Sequence, residues 1–260
     1  MITLCTILAQ YGYDSAYYGG GYGSMGGGDY TAFGLLLLGA CFLIGMLVHS
    51  NLESSMKKFS ATPAPMTGAE AARRMLNQFG LSEVQITCVP GKLTDHYNPL
   101  DHTVNLSEAV YHNASVASVA VAAHECGHAV QHAQAYPWLS LRSSLVPMVN
   151  IGSRIGQIVL MLGLVLLGTG GGPDIAWLGL ALYGLTTVFA LVTLPVEFDA
   201  SRRALSWLQS SGLADRTMHG QAGSALRAAA MTYVAAALSS IAMLAYYALI
   251  ILSRSNNRRN

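Results

Sequence analysis

His124 and His128 stand four residues apart, with Glu125 beside the first, in the stretch AAHECGHAVQH, residues 122–132. On a helix, positions i and i+4 share a face, about 6 Å apart along the axis. Imidazoles so placed can converge on one ion, and zinc takes such nitrogens at about 2.1 Å. Glu125 lies about 100° round from His124. There it cannot easily join the same ion but can reach a water on it. This is the H-E-x-x-H pattern, with the glutamate as general base of a hydrolase. The plain alternative is a helix whose polar residues are satisfied by neighbours. Two histidines and a glutamate among alanines weigh against it, because buried polar groups need partners.

A catalytic zinc takes three protein ligands and keeps one position open. His132 extends the histidine face by another turn, but sits about 12 Å along the axis from His124, too far to share the ion. It reads as a packed or outer-lying histidine. The longer metzincin pattern needs Gly at 131 and His at 134; Gln131 and Gln134 stand there. Glu197, in LPVEFDASRRAL at residues 194–205, is the better third ligand. It directly follows a charge-free apolar stretch, where a carboxylate needs a reason to be. Two crossings separate it from His128, so both emerge on the same membrane face. Otherwise it is an interfacial carboxylate paired with Arg202 or Arg203. Candidates to steady a developing oxyanion are His96, Tyr97 and Tyr233. An extended peptide would pair along HTVNL, residues 102–106.

These residues need elements to position them. Residues 115–134, SVASVAVAAHECGHAVQHAQ, read as a helix with little bulk on any side, closed by Pro137. Thr67-Gly-Ala-Glu70 reads as a capping box that opens a helix running to about Phe79 and stopped by Gly80, with Ala71, Met75 and Leu76 inward. VQITCV, residues 84–89, and HTVNL read as strands, and TDHYNPLD, residues 94–101, as turn.

The surrounding chain is built for a bilayer. Of its 260 residues 52% are hydrophobic and only 10% charged, against about 25% charged in ordinary soluble domains. A net charge of +1 offers no nucleic-acid surface. Apolar stretches at 31–48, within 145–168, at 175–196 and at 228–252 are each long enough to cross, which takes about 20 helical residues. Gly-Pro punctuation in TGGGPD makes 145–196 a transmembrane hairpin. If all four cross, eleven of the 14 lysines and arginines share one side, leaving Arg254, Arg258 and Arg259 on the other. The positive-inside rule then puts the large region 49–144 in the cytoplasm. Three arginines in the tail 253–260 pull the other way. Residues 1–30 contain a Gly/Tyr-rich leader expected to be disordered, and lack the basic start of a signal peptide. The four cysteines, Cys5, Cys41, Cys88 and Cys126, are scattered, so neither a disulfide frame nor a cysteine zinc knuckle is expected. Cys126 reads as a small apolar helix residue.

Six blocks in order, MTGAEAARRML, KLTDHYNP, AAHECGHAVQHAQAY, LRSSLVP, TLPVEFDASRRAL and MTYVAAAL, resemble the YugP-type neutral zinc metallopeptidases of bacteria, from about residue 50 to 250. The layout is similar to membrane heat-shock metallopeptidases and CAAX-processing proteases. The resemblance implies zinc on His124, His128 and Glu197, with Glu125 catalytic. Those related enzymes usually carry an aspartate four residues after the ligand glutamate, orienting a histidine. Here that position is Ser201, and Asp199 stands where YugP-type sequences often show asparagine.

The expectation is a predominantly α membrane protein, a helical transmembrane bundle with a small α+β zincin-like region carrying the H-E-x-x-H helix. Residues 197–227 would form a ligand helix and linker. Zn2+ is the cofactor, a protein or peptide the substrate, and the bilayer the other partner. Two rival readings stand. One is an intramembrane-cleaving metalloprotease, with the motif inside a span. The other is a non-catalytic scaffold with a structural zinc, closed by a fourth ligand such as Cys126 or His132.

Overall fold

The computed structural model describes residues 28–256. The Gly/Tyr-rich leader, apart from its last few residues, and Arg258 and Arg259 lie outside that range. The described chain is mostly helical, with one small sheet: α1 (Gly28–Ser60), α2 (Gly68–Gln78), β1 (Gln85–Val89), β2 (His96–Asn98), β3 (Thr103–Ser107), α3 (Glu108–Tyr111), α4 (Val116–Ala133), α5 (Pro137–Gly168), α6 (Asp174–Ser210) and α7 (Arg216–Asn256). It divides into two compact units. Among the described residues the first holds 47–140 and 194–232, and the second 28–46, 141–193 and 233–256.

The first unit begins from local chemistry. The Thr67 side chain accepts from the Glu70 N–H at 3.2 Å, while Glu70 Oε2 accepts from the Thr67 N–H at 2.8 Å. That reciprocal cap starts α2, and it holds the exposed Glu70 below the usual carboxylate range, the Thr67 N–H contributing most. Gly80, at φ +73°, follows the helix in a conformation that costs glycine nothing. Ala71, Ala72, Met75 and Leu76 then lie buried on the face toward α4.

The sheet runs β1-β3-β2, with β1 parallel and β2 antiparallel to β3. Residues 94–101, expected as turn, therefore contain a short strand. The HTVNL segment is the central strand, with both edges already paired, so it cannot take a peptide by edge pairing. Val104 and Leu106 of β3 join Met75, Leu76, Val119, Cys126, Val130, Trp207 and Leu208 in one core.

Helix α4 is buried along almost its whole length. It ends before Pro137: Ala135 takes φ +48° and Pro137 begins α5. A proline at the first helical position gives up an N–H with no partner there anyway, so the residue expected to close one helix opens the next.

Within the second unit, small residues let helices meet at backbone distance. A Cβ on Gly163 would fall 2.4 Å from the Ala176 Cα, and one on Gly179 would fall 2.3 Å from the Leu160 nitrogen. The hairpin of α5 and α6 therefore depends on both glycines. Rings of Tyr183 and Tyr247 meet edge to face at 6.0 Å.

Four helices, α1, α5, α6 and α7, are long and apolar enough to cross a membrane. Leu36, Leu47, Ile151 and Ile158 stand exposed along them, as suits side chains whose solvent is lipid. Helix α4 is not among the four.

Candidate metal centre

Helix α4 sets the two histidines on one face, and their ring centroids lie 4.8 Å apart. Helix α6 supplies Glu197. It is one helix from Asp174 to Ser210, so the glutamate rides on the apolar stretch itself. Glu197 Oε2 lies 3.3 Å from His124 Nε2 and 3.7 Å from His128 Nε2. All three side chains are buried, with residue exposures of 7%, 8% and 3% for His124, His128 and Glu197. One donor atom from each falls within 4.8 Å of the others.

These distances fit one zinc ion. Tetrahedral bonds of about 2.0–2.1 Å put neighbouring donors about 3.4 Å apart. The donor set, two imidazoles and a carboxylate, is also one that zinc takes.

Gly127 makes the approach possible. A Cβ there would stand 2.7 Å from the Ala200 carbonyl oxygen and 3.2 Å from its Cα. Both are backbone atoms of α6, which cannot rotate away. Glycine between the two histidines lets α6 close on α4 near the glutamate.

Glu125 faces elsewhere. Its Oε2 accepts from the Tyr97 N–H of β2 at 3.1 Å. Its Oε1 is buried with no hydrogen-bond partner among the described residues. Leaving a buried carboxylate oxygen unpaired costs about 1–3 kcal/mol or more, so this atom is suited to a small polar guest. Asp95 lies buried nearby and accepts from the Ser107 N–H at 2.7 Å and from its hydroxyl. Burial pushes Asp95 above the ordinary carboxylate value; the Ser107 N–H pulls it back and the Glu125 charge pushes it up again. Burial by itself lowers the proton affinity of His124. The hydrogen bond to Glu197 and the charges of Glu125 and Glu197 outweigh that, and its pKa ends above the usual histidine value.

The remaining candidates separate. Ser201 Oγ lies 3.2 Å from His124 Nδ1, so the residue standing in for an aspartate still touches a histidine. Asp199 Oδ2 accepts from the Gln131 amide at 2.9 Å, and Arg202 and Arg203 both pair with Asp199. Gln131 in turn lies 3.0 Å from His128 Nδ1. Sequence reasoning passed over Gln131, although its place three residues after His128 put it on the same face. Tyr97 offers its N–H to Glu125, while its hydroxyl lies 2.8 Å from His132 Nδ1. The phenol is raised above its usual value, chiefly by burial. The His132 ring also meets His102. His96 Nδ1 lies 2.8 Å from the Thr94 carbonyl. Tyr233 is buried on α7 within the second unit. Cys126 points its thiol at the Ala72 carbonyl, 3.6 Å away, and burial raises its pKa strongly.

A family model described as "Putative neutral zinc metallopeptidase" matches residues 34–252. The chain is 40% identical over 216 residues to the "Putative membrane protease YugP" of Bacillus subtilis, covering 83% of this chain and 93% of that protein. No solved structure matches it.

Proposed function

Because the chain belongs to this neutral zinc metallopeptidase family, we propose that it is a membrane-bound zinc metallopeptidase whose general base is Glu125. The observation that carries the reading is the meeting of His124, His128 and Glu197 from two helices, with the unpaired Oε1 of Glu125 one residue along. Those three side chains would hold the ion. When bound, zinc supplies Lewis acidity, making water a nucleophile at neutral pH and polarising a carbonyl.

The chain does the rest. The Tyr97 N–H holds one oxygen of Glu125 and so aims the carboxylate. The free oxygen takes a proton from the attacking water and returns it to the leaving amine. Burial of the site keeps bulk water from competing for that proton. Cys126 and His132, the residues that would close a structural zinc site with a fourth ligand, are engaged with Ala72 and Tyr97. This supports an open coordination position over a closed one. The Bacillus relative supports a bacterial inner (plasma) membrane setting, and the charge asymmetry of the loops supports a site on the cytoplasmic side.

The test compares wild type with Glu125→Gln in detergent, using zinc content and cleavage of fluorescence-quenched, denatured casein. Cleavage should fall about 100-fold or more while zinc stays stoichiometric. Loss of zinc from Glu125→Gln, or undiminished cleavage, removes Glu125 from this role.

A further inference from the structure

We propose that Gln131 is the positioning residue that fixes the tautomer of His128, and that Asp199 fixes Gln131. The inference rests on the zinc-site reading above and extends it to residues that touch no metal.

The logic is one of donors and acceptors. Gln131 is completely buried. Its side-chain nitrogen lies 2.9 Å from the Val196 carbonyl and 2.9 Å from Asp199 Oδ2. A carbonyl accepts only, and so does a carboxylate held by two arginines. Both must face the NH2 end of the amide, so its two donors are spent on α6. The Oε1 end is left facing His128 Nδ1 at 3.0 Å. An amide oxygen only accepts, so Nδ1 must carry the proton. Nε2 then presents its lone pair on the side of Glu197, 3.7 Å away. A neutral imidazole with the proton on Nδ1 is the form that ligates through Nε2.

His124 is held differently. Its Nδ1 meets the Ser201 hydroxyl, which can donate or accept and so selects no tautomer. The fixed histidine is therefore His128. The anchor continues outward: Arg203 pairs with Asp199, donates to Gln134 Oε1 at 2.6 Å and lies over the Tyr136 ring. It thus ties the end of α4 to α6.

The experiment measures zinc dissociation constants of the full-length protein in detergent, by competition with a chromophoric chelator. Gln131→Leu keeps the apolar bulk and loses the acceptor; affinity should fall about 10- to 100-fold. Gln131→Glu sets a carboxylate against Asp199 and should be comparably weak. Adding Asp199→Asn gives that carboxylate a donor again, while the Val196 carbonyl stays without one, and affinity should recover about tenfold over Gln131→Glu. Gln131→Leu binding zinc as wild type does overturns the inference. So does a double variant no tighter than Gln131→Glu, and this pair decides the matter if the leucine variant does not fold. A wild-type protein that binds no zinc, or a Glu197→Gln variant that binds it unchanged, overturns the zinc-site reading itself and this inference with it.

Discussion

Glu197 sits on a helix otherwise apolar over most of its membrane length, and both histidines turn toward it. A neutral amide at that position keeps the shape but removes the charge that binds a cation. Glu197→Gln should weaken zinc binding more than about 100-fold, since outer partners alone are worth about 10- to 100-fold. A chelator competition assay checks this. Asp95 gives a different prediction, about pH. Its pKa is raised in the fold, chiefly by burial, so the folded state binds the proton more tightly than the unfolded one. The stability that proton contributes is present below the ordinary aspartate value and is lost as pH rises through the raised folded value. Asp95→Asn keeps an acceptor for the Ser107 N–H and cannot ionise. Melting temperatures across mildly acidic pH should therefore show wild type losing ground to Asp95→Asn as pH rises. A difference that stays flat would mean Asp95 keeps its ordinary value. Cys126, read as a small packed residue, is one: it sits in the core against α2.

At the scale of elements, the site is a contact between α4 and α6. Gly127 is the point of closest approach, with the Ala200 backbone where a Cβ would go. Gly127→Ala raises helix propensity, by about 1 kcal/mol, yet forces the helices apart, and overpacking costs about 1–3 kcal/mol. The net cost to stability is then about 0–2 kcal/mol, but the site has no such offset. The expected outcome is a well-folded protein whose zinc affinity drops at least tenfold, read by circular dichroism beside zinc titration. Unchanged affinity would show that α6 approaches α4 independently of this glycine. The elements themselves were partly legible. The capping box at Thr67 and the burial of α4 follow from local pattern. The strand β2 did not show, because three residues among turn formers carry no periodicity; pairing with β3 makes them a strand. Pro137, which reads as closing α4, is instead the first residue of α5: proline both ends helices and begins them, and the φ of +48° at Ala135, two residues earlier, marks where α4 has stopped.

For the whole molecule, four of the described helices suit a bilayer in a chain with little charge. The cytoplasmic side proposed for the site rests on where lysines and arginines collect. Cys88 is exposed on β1 and reports that side. In a variant with Cys5 and Cys41 changed to serine, a membrane-impermeant maleimide should leave intact cells unlabelled and label Cys88 only after lysis. Labelling of intact cells would put the site outside and reverse the topology. The buried Cys126 stays silent in either case.

The sequence by itself determined that two imidazoles share a helical face, that a carboxylate follows an apolar span, and that four stretches suit lipid. Each is a matter of spacing or composition within a single segment, and the helical repeat and bilayer thickness translate both directly. The tertiary structure alone decided that the carboxylate of α6 reaches the imidazoles of α4, that Gly127 lets it, and that Gln131 and Asp199 link His128 to α6. Those are contacts between residues about 70 positions apart. They depend on how closely two backbones approach and on which end of an amide faces which acceptor, and no periodicity within one helix records either.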